Sequence, residues 1–389
     1  MKTSPLPDRG FPTDEFRTRT ARIRAGLAKA GLDAILLTTE PEIRYVTGFL
    51  TRFWESPTRP WFVIVPLGQE PVAVIPEIGA PLMGQGWITD IRTWSSPDYD
   101  DDGIGLLARS LRGLVPDSGR IGVPDEGETH LRMPLSSWSH LQKRVGGRRF
   151  VGDGGLMRRL RMVKSPAEIA KIETAAAIAG RAFDRLPEIA AEGVPLQTVF
   201  RQFQGLCLEE GADWVSYLAG GAGPGGYADV ISPASARPLQ RGDVLMLDTG
   251  AVHDGHFCDF NRNVSIGSAS AEVRAAHARL IEATAAGFDA ARPGQRARDL
   301  ARAMDKVLTG GTGTPGRLGH GLGMQLTEPP SLMPADDTVL RPGMVLTLEP
   351  VLALGEGRIM VHEENIVIEE TGARWLSAPS GTEIPEIGA

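Results

Sequence analysis

Apolar residues return along this chain at two spacings, one typical of helices and one of strands. Residues 17–30 repeat them every three or four positions, with Ile23, Leu27 and Ala30 on one face, which predicts an amphipathic helix. Short apolar runs bounded by glycine, proline or polar residues predict buried strands. The same patterns predict helices near 105–114, 134–145, 196–210, 271–291 and 297–308, and strands at 34–39, 61–66, 71–75, 120–123 and 244–248.

The middle of the chain has a glycine-rich break followed by a strong helix start. Residues 152–155 read Gly-Asp-Gly-Gly, and we place a boundary after Gly152, which gives domains of residues 1–152 and 153–389. Ser165 can cap a helix that begins at Pro166 and runs to about residue 186, because Glu168 stands three positions after the cap. Helices and strands alternate in the first half, which predicts an α/β fold there.

Composition describes a large, mildly acidic chain. Its 389 residues are 42% hydrophobic, which is enough for a sizeable core, and the formal net charge is −7. This charge argues against nucleic acid or an anionic membrane as the main partner. The two cysteines are too few for a disulfide framework or a thiolate metal site. The N-terminal segment has no apolar core of the signal-peptide kind, so we expect a cytoplasmic location.

Two segments place acidic residues at both ends of a predicted β-hairpin. Asp248 and Asp259 flank TGAVHDGHFC, whose Asp-Gly centre is a strong signal for a tight turn. Glu349 and Glu363 flank a second segment centred on residues 355–357, Gly-Glu-Gly. Folding at each centre makes the acids cross-strand partners, with Cβ atoms roughly 4.5–5.5 Å apart. Acids so close repel one another, and two divalent metals would supply the positive charge that two such pairs need.

His320 completes the candidate site. It stands between Gly319 and Gly321 with no helical or strand period around it, so it is poorly explained as a core residue. Imidazole is the commonest neutral metal ligand. Taken alone, each hairpin is explained equally well by two surface acids near a turn. A lone histidine is more often a structural residue than a metal ligand. Together, the four acids and His320 predict a metal site.

These residues and the phrases around them resemble a known family. The order Asp248, Asp259, His320, Glu349, Glu363 is similar to the five-ligand dinuclear site of the pita-bread metallopeptidase superfamily, which includes Xaa-Pro aminopeptidases, prolidases, methionine aminopeptidases and creatinases. The phrases RGDVLMLDTG, GHGLG, LRPGMVLTLEP and HEENIVI fit its motifs, and LDAILLTTEPEIRYVTGF resembles its N-terminal domain. The resemblance implies a creatinase-type N-terminal α/β domain followed by a pita-bread catalytic domain with pseudo-two-fold symmetry.

The resemblance also implies the chemistry of the site. Asp259 and Glu363 would bridge two divalent metals, Asp248 would chelate one, and His320 with Glu349 would hold the other. Carboxylates with one imidazole suit Mn²⁺, which we place first, and also Co²⁺, Fe²⁺ or Zn²⁺. A water between the metals would become hydroxide and attack the substrate, with Glu349 as general base and His320 as the second catalytic group. A homodimer is expected.

Departures from the proline-cleaving relatives concern the substrate pocket. Thr327 stands seven residues after His320, where those relatives carry a second histidine. Residues 227–233 lack the histidine those relatives place upstream of the first aspartate, and position 361 is valine in place of arginine. Candidate substrate-binding residues are Tyr217, Tyr227, Thr327, Glu328 and Arg358, with Trp54 and Arg59 from the loop 53–61. That loop is expected either to pack on its own sheet or to cover an active site.

Three functions from different classes follow. The first is a metal-dependent hydrolase of an amide or other C–N bond in a small molecule, with an Xaa-Pro dipeptide as the default substrate. The second is a relative specialised for a non-peptide metabolite, as in ectoine hydrolases, creatinases and dimethylsulfoniopropionate lyases, because both helper histidines are absent. The third is a scaffold that kept the fold without catalysis. His256 and His362 should point away from the metals, because they differ in strand parity from Asp259 and Glu363.

Overall fold

The computed structural model describes residues 9–54 and 59–388, and its contacts divide the chain into two compact units. One unit is Arg9–Arg161, and the other contains the chain from Met162 onward. Within the described residues, no helix has both the length and the apolar character needed to cross a membrane.

The first unit is built on a six-stranded mixed sheet. Its strands are β1 (Ala34–Leu37), β2 (Phe62–Pro66), β3 (Val72–Pro76), β4 (Asp90–Trp94), β5 (Arg120–Val123) and β6 (Arg149–Gly152). Their order across the sheet is β4-β3-β2-β1-β5-β6, with β2 antiparallel to both of its neighbours and the remaining pairs parallel. Its helices are α1 (Thr13–Ala30), α2 (Glu40–Thr47), α3 (Ala80–Met83), α4 (Ile104–Leu114), α5 (Leu135–Arg144) and α6 (Leu156–Met162), with a 3₁₀ turn at Glu77–Gly79.

Helices of this unit bury apolar side chains against the sheet. Leu107 and Leu111 of α4 share a core with Phe62 and Ile64 of β2. Ile23 and Leu27 of α1 are fully buried, as the sequence pattern predicted, but Ala30 is exposed. Ala30 is the last residue of α1, and the chain turns away at Gly31 with a positive φ of 65°. The end of the apolar period therefore falls one turn earlier than the sequence pattern indicates.

The second unit holds four helices and twelve strands among its described residues. The helices are α7 (Pro166–Asp184), α8 (Leu196–Glu209), α9 (Ala271–Ala290) and α10 (Ala297–Thr309), with a 3₁₀ turn at Leu186–Glu188. The strands are β7 (Trp214–Pro224), β8 (Asp243–His253), β9 (His256–Phe257), β10 (Phe260–Ile266), β11 (His320–Gly321), β12 (Glu328–Ser331), β13 (Val345–Leu348), β14 (Val351–Gly355), β15 (Arg358–Val361), β16 (Glu364–Ile368), β17 (Ala373–Trp375) and β18 (Glu386–Ile387).

This unit repeats one arrangement twice. The first sheet has the order β18-β10-β8-β7, with β9 paired to β8, and α7 and α8 share a core with it. The second sheet has the order β12-β11-β13-β16-β17, beside the β14-β15 hairpin, and α9 and α10 share a core with them. The predicted α/β fold of the first unit and the predicted repeat within the second unit are thus present. Each half of the repeat supplies one of the acidic hairpins.

Sequence periodicity located seven of the ten helices among the described residues, and the strands β1, β2, β3, β5 and β8, within a few residues. The capping box at the start of α7 is present, with the Glu168 amide donating to Ser165 Oγ at 3.3 Å and the Ser165 amide donating to Glu168 Oε2 at 2.9 Å. The elements that it missed include α2, α6, β4 and the long strand β7. Strand β4 reads DIRTW and is mostly half-buried, so it has no continuous apolar run. Helix α6 extends the first compact unit past Gly152, where the sequence placed the boundary, to Arg161.

Candidate metal centre

The first acidic hairpin folds at the predicted turn but in a different register. Asp254 and Gly255 form the turn with positive φ angles of 47° and 74°, between the pair His253 and His256. Asp248 is paired with Asn261, so Asp259 lies two residues short of the position that faces it. The expectation that Asp248 and Asp259 face each other directly is wrong. They are diagonal neighbours on one face of the sheet, since residues two apart on a strand point the same way.

The second hairpin brings its acids into direct opposition, as the sequence predicted. Leu348 pairs with Glu364 on one side of the acids, and Val351 pairs with Val361 on the other side in the same register. Glu349 and Glu363 therefore face each other between these two ladders. The chain reverses at residues 355–357, where Gly355, Glu356 and Gly357 all have positive φ.

His320 enters the site through two close approaches of the main chain. A Cβ atom at Gly319 would lie 2.3 Å from the Thr347 carbonyl oxygen, and one at Gly321 would lie 2.2 Å from the Pro329 carbonyl oxygen. Only glycine fits at either position, which explains the residues that flank the histidine. The His320 ring places Nδ1 2.9 Å from the Gly321 carbonyl oxygen. With Nδ1–H donating there, Nε2 is left with a lone pair directed toward the acids.

Three ligand atoms converge in the interior. One atom each from Asp259, His320 and Glu363 lies within 4.8 Å of the others, and all three residues are buried. His320 Nε2 is 3.3 Å from Asp259 Oδ2 and 4.0 Å from Glu363 Oε1. Residues from both hairpins and from β11 thus meet at one point, although more than a hundred positions separate Asp259 from Glu363.

The acids of the cluster are held in an environment that opposes their ionisation. Burial raises the pKa of Asp248, Asp259 and Glu363 well above the ordinary carboxyl value, and the charges of neighbouring acids raise it further. Burial also raises the pKa of Glu349, while His320 and Arg317 lower it. Strand pairing places Asp248 diagonally across from Asp259 and Glu349 opposite Glu363, so both acids belong to the same cluster as the three converging atoms.

The donor set fits divalent metals. Among the described residues, Asp248 Oδ1 and Glu363 Oε1 are buried without a hydrogen-bond partner, which is costly for a carboxylate unless a cation binds it. Four carboxylates carry the charge that two divalent ions neutralise, and the lone pair on His320 Nε2 adds a nitrogen ligand. Asp248, Asp259, His320, Glu349 and Glu363 are the residues that could hold such ions.

Two further residues organise the cluster and were not found from the sequence. The Thr347 hydroxyl accepts a hydrogen bond from the His320 amide at 3.1 Å and also hydrogen-bonds Glu363. Asn365 Oδ1 accepts the Asp259 amide at 3.0 Å, and its Nδ2 donates to the Asp259 carbonyl. Strand parity gives the signal, because each lies two residues from a candidate ligand, Thr347 before Glu349 and Asn365 after Glu363.

The two tyrosines that the sequence proposed as substrate contacts lie in different surroundings. Tyr217 on β7 is half-buried, and burial together with the charges of Asp248 and Asp259 raises its pKa. Ala219, two residues further along β7, pairs with Asp248, so Tyr217 lies on the same face of the sheet as that acid. Tyr227 is 2% exposed, and its hydroxyl accepts the Val361 amide at 2.6 Å and lies 3.1 Å from Asn263 Oδ1. The structure places Tyr227 inside the core, where it ties β15 to β10.

The other candidates of this unit are also partnered by protein groups. Lys164 Nζ lies 3.1 Å from Glu328 Oε2 in an ion pair that is almost fully buried. The Thr327 hydroxyl lies 3.5 Å from Arg317 Nη2. Arg358 forms an ion pair with Glu272 at 3.3 Å. Of these three candidates, Thr327 is the one that contacts Arg317, whose charge lowers the pKa of Glu349.

The loop residues of the first unit pack within that unit. Trp54 is 9% exposed, and its ring centroid lies 6.4 Å from that of Phe49 and 5.9 Å from that of Trp61. The Arg59 guanidinium lies over the Phe53 ring at 5.0 Å. Residues 55–58 of this loop lie outside the described residues. The described part of the loop thus packs against aromatic residues of its own unit.

The remaining histidines near the hairpins face other partners, as strand parity predicted. His256 Nε2 lies 3.9 Å from Glu168 Oε1, and its Nδ1 is 3.0 Å from the Asp254 carbonyl oxygen. His362 Nε2 lies 3.1 Å from Glu364 Oε1. Neither belongs to the set of converging ligand atoms among the residues that the structure describes.

Family comparison gives two matches that together cover most of the chain. The profile of metallopeptidase family M24 matches residues 170–370. The profile of the creatinase/prolidase N-terminal domain matches residues 19–163. All five candidate ligands lie within the first of these ranges.

Similar proteins include peptidases that match over nearly their full length. The chain is 29% identical to a probable dipeptidase PepE of Mycobacterium bovis over 374 residues, which is 95% of this chain and 96% of the relative. It is 24% identical to an Xaa-Pro dipeptidase of Pyrococcus horikoshii over 369 residues, covering 94% and 98%. The crystal structure of dipeptidase PepE from Mycobacterium ulcerans superposes with a TM-score of 0.83 at 27% identity, covering 97% of this chain and 99% of that one.

Proposed function

This chain belongs to metallopeptidase family M24 and is a metallohydrolase, and from that premise we propose that it cleaves dipeptides of the Xaa-Pro kind with two divalent metals. The observation that carries the proposal is the convergence of Asp259, His320 and Glu363 ligand atoms within 4.8 Å in a buried site. The relatives named as dipeptidases support a dipeptide as substrate. Manganese is our first choice of metal, because oxygen-rich ligands with one imidazole suit it.

Each of the five ligand residues has a place in the proposal. Asp248, Asp259, His320, Glu349 and Glu363 would hold the ions, with an oxygen of Asp259 3.3 Å and an oxygen of Glu363 4.0 Å from His320 Nε2. Bound divalent ions polarise the substrate carbonyl and generate a water-derived nucleophile at neutral pH. Thr347 and Asn365 hold His320, Glu363 and Asp259 in place through the hydrogen bonds described above.

Glu349 is the residue best placed to move the proton. It is half-buried, whereas Asp259 and Glu363 are fully enclosed, so substrate and water can reach it. A Glu349 oxygen takes one proton from the attacking water and returns it to the nitrogen of the leaving amino acid. Water is thereby added across the amide, with OH on the carbonyl carbon and H on the amine.

A substrate panel tests the proposal directly. The manganese-loaded protein is incubated with Xaa-Pro dipeptides, matched Xaa-Ala dipeptides, ectoine and dimethylsulfoniopropionate, and the products are measured. We expect release of free proline and about two metal ions per chain by elemental analysis. Turnover of ectoine or dimethylsulfoniopropionate alone would replace the proposal by the non-peptide alternative. His320→Gln should lose metal and activity, whereas His130→Gln, at an exposed position of the first unit, should retain both.

A further inference from the structure

The first unit contains a cavity that the proposed function does not use. Its volume is about 410 Å³, within the range of roughly 300–1,000 Å³ that is usual for small-molecule sites. Helix α1 forms one wall with Arg17, Thr20 and Arg24, which share a face of the helix because they are three and seven residues apart. Residues 70–71 before β3 and 87–89 before β4 also line it. The cavity therefore lies within one compact unit, and all five candidate metal ligands belong to the other.

The Thr20 hydroxyl is the group in this cavity that calls for a ligand. Thr20 is 1% exposed, and its Oγ1 has no hydrogen-bond partner among the described residues. A helical threonine can donate to the carbonyl four residues earlier, as Thr18 on the same helix does to Asp14 at 2.8 Å. Thr20 makes no such bond, although a buried hydroxyl without a partner is costly. Since Thr20 lines the cavity, a polar group bound there can supply the partner.

The two arginines of the cavity are held differently. Arg24 Nη2 donates to the Gln69 carbonyl and lies 3.4 Å from Glu70 Oε1, so protein groups hold it at the loop between β2 and β3. Arg17 has one ion pair among the described residues, at 3.5 Å with Asp14, and the two side chains are 69% and 90% exposed. Such an exposed pair is weak. Arg17 can therefore turn to an anion inside the cavity, whose lining carries two arginines against one glutamate.

Apolar side chains form another part of the cavity wall. Trp87 is half-buried, and its ring stacks on Phe16 with centroids 6.2 Å apart and 6° between the planes. Trp87 Nε1 donates to the Val46 carbonyl at 2.9 Å. Ile88 and Pro71, which are buried, also line the cavity. Because Phe16 and Val46 hold Trp87 in place, its indole offers a fixed aromatic surface to an apolar ligand.

We propose that this cavity binds a small organic carboxylate with an apolar body. Arg17 and the Thr20 hydroxyl hold the carboxylate, and Trp87 and Ile88 contact the apolar body. A carboxylate accepts hydrogen bonds from both donors, which lie one helical turn apart, and it balances the excess positive charge of the lining. The site goes beyond the proposed function, because no residue of the cavity is a candidate metal ligand.

Three probes test the two halves of this chemistry. Ligand-observed NMR titrations of the full chain as purified measure the binding of 3-phenylpropionate, of its neutral isostere 3-phenylpropionamide and of inorganic phosphate. We expect a Kd on the order of 0.1–1 mM for 3-phenylpropionate, as is usual for a ligand of its size. The amide lacks the charge and phosphate lacks the apolar body, so each should bind about tenfold more weakly or less tightly still.

Two variants place the ligand in the cavity. Arg17→Met should weaken the binding of 3-phenylpropionate about 10-fold or more, and Thr20→Val should weaken it by roughly 3- to 10-fold. Because the Thr20 hydroxyl has no partner in the free protein, Thr20→Val should melt at the same temperature as the wild type or higher. Arg22→Met and Thr18→Val are the matched controls, since both residues are exposed on α1 outside the lining, and they should leave Kd unchanged.

The titrations distinguish failure of this inference from failure of the proposed function, because they require no turnover. No saturable binding of 3-phenylpropionate, or binding that Arg17→Met and Thr20→Val leave unchanged, would overturn the site. The second result would also be expected if the carboxylate bound only at the metal centre. Equal affinity for the amide would refute recognition of the charge, and equal affinity for phosphate would refute the role of the apolar wall.

Discussion

Replacing Asp259 by asparagine should have opposite effects on the metal-free and the metal-loaded protein. In the metal-free protein, Asp259 is buried beside other acids, and burial together with the charge of Glu349 raises its pKa well above the ordinary value. A group whose pKa is raised by folding stabilises the protein at low pH, and this contribution is lost as the pH rises from the ordinary carboxyl range through the raised pKa. Asparagine carries no charge at any pH, so the metal-free Asp259→Asn variant should not lose this stability as the pH rises.

The size of the effect follows from the separation of the charges. Oxygens of Asp259 and Glu363 lie within 4.8 Å of each other. Two unit charges at that distance repel by about 3.5 kcal/mol at an effective dielectric constant of about 20. Proton uptake relieves part of this repulsion, so the gain should approach about 3 kcal/mol only at alkaline pH, above the raised pKa, and should be small at acidic pH. For a unit of this size, such a gain raises the melting temperature by roughly 5–10 °C.

Differential scanning calorimetry after exhaustive chelation measures the transition of the second unit for wild type and variant across that pH range. Asp243→Asn is the matched control on strand β8, because Asp243 is also fully buried but accepts Arg237 Nη1 and Nη2 at 2.7 and 2.9 Å. This control should destabilise the protein, since it breaks a satisfied ion pair. With manganese present, Asp259→Asn should lose the metal-dependent rise in melting temperature and all activity.

A lower melting temperature for metal-free Asp259→Asn at pH 9, comparable with that of Asp243→Asn, would refute the reasoning. It would mean that Asp259 is satisfied by protein groups and that the cluster is not poised for cations. An unchanged response to manganese would contradict the assignment of Asp259 as a ligand.

Two further predictions concern the residues that support the site. Asn365→Ala should lower the free energy of unfolding by about 2–5 kcal/mol, because two buried main-chain groups of Asp259 lose their hydrogen-bond partners. Manganese titration should also show weaker binding. Unchanged stability and affinity would show that the hydrogen bonds of Asn365 are dispensable. Lys164→Met should destabilise the second unit by about 3–5 kcal/mol in chemical unfolding, because the Glu328 charge stays buried without its partner. Adding Glu328→Gln should restore most of that stability. A double variant no more stable than Lys164→Met would show that the unpaired Glu328 charge is not the cause.

Local sequence patterns were sufficient where neighbouring residues decide the structure. The turn at Asp254 and Gly255 formed as predicted because Asp-Gly accepts two positive φ angles. The pairing of Glu349 with Glu363 also followed from the centre of its hairpin. The first hairpin shows the limit of this reasoning, because a shift of two residues changes which residues face each other but keeps Asp248 and Asp259 on the same face. The midpoint of the hairpin sequence cannot distinguish these two registers, but both of them keep Asp248 and Asp259 on the same face of the sheet.

The sequence by itself determined the identity and order of the five candidate ligands, the glycines around His320, most of the helices and part of the strands. These depend on side-chain chemistry and on periods of two or about 3.6 residues, which are properties of short segments. Only the tertiary structure decided that Asn365 hydrogen-bonds the main chain of Asp259 and that the charge of Arg317 lowers the pKa of Asp259 and Glu349. Such contacts join residues far apart in sequence, and the packing of the two sheets sets them, so no local pattern encodes them.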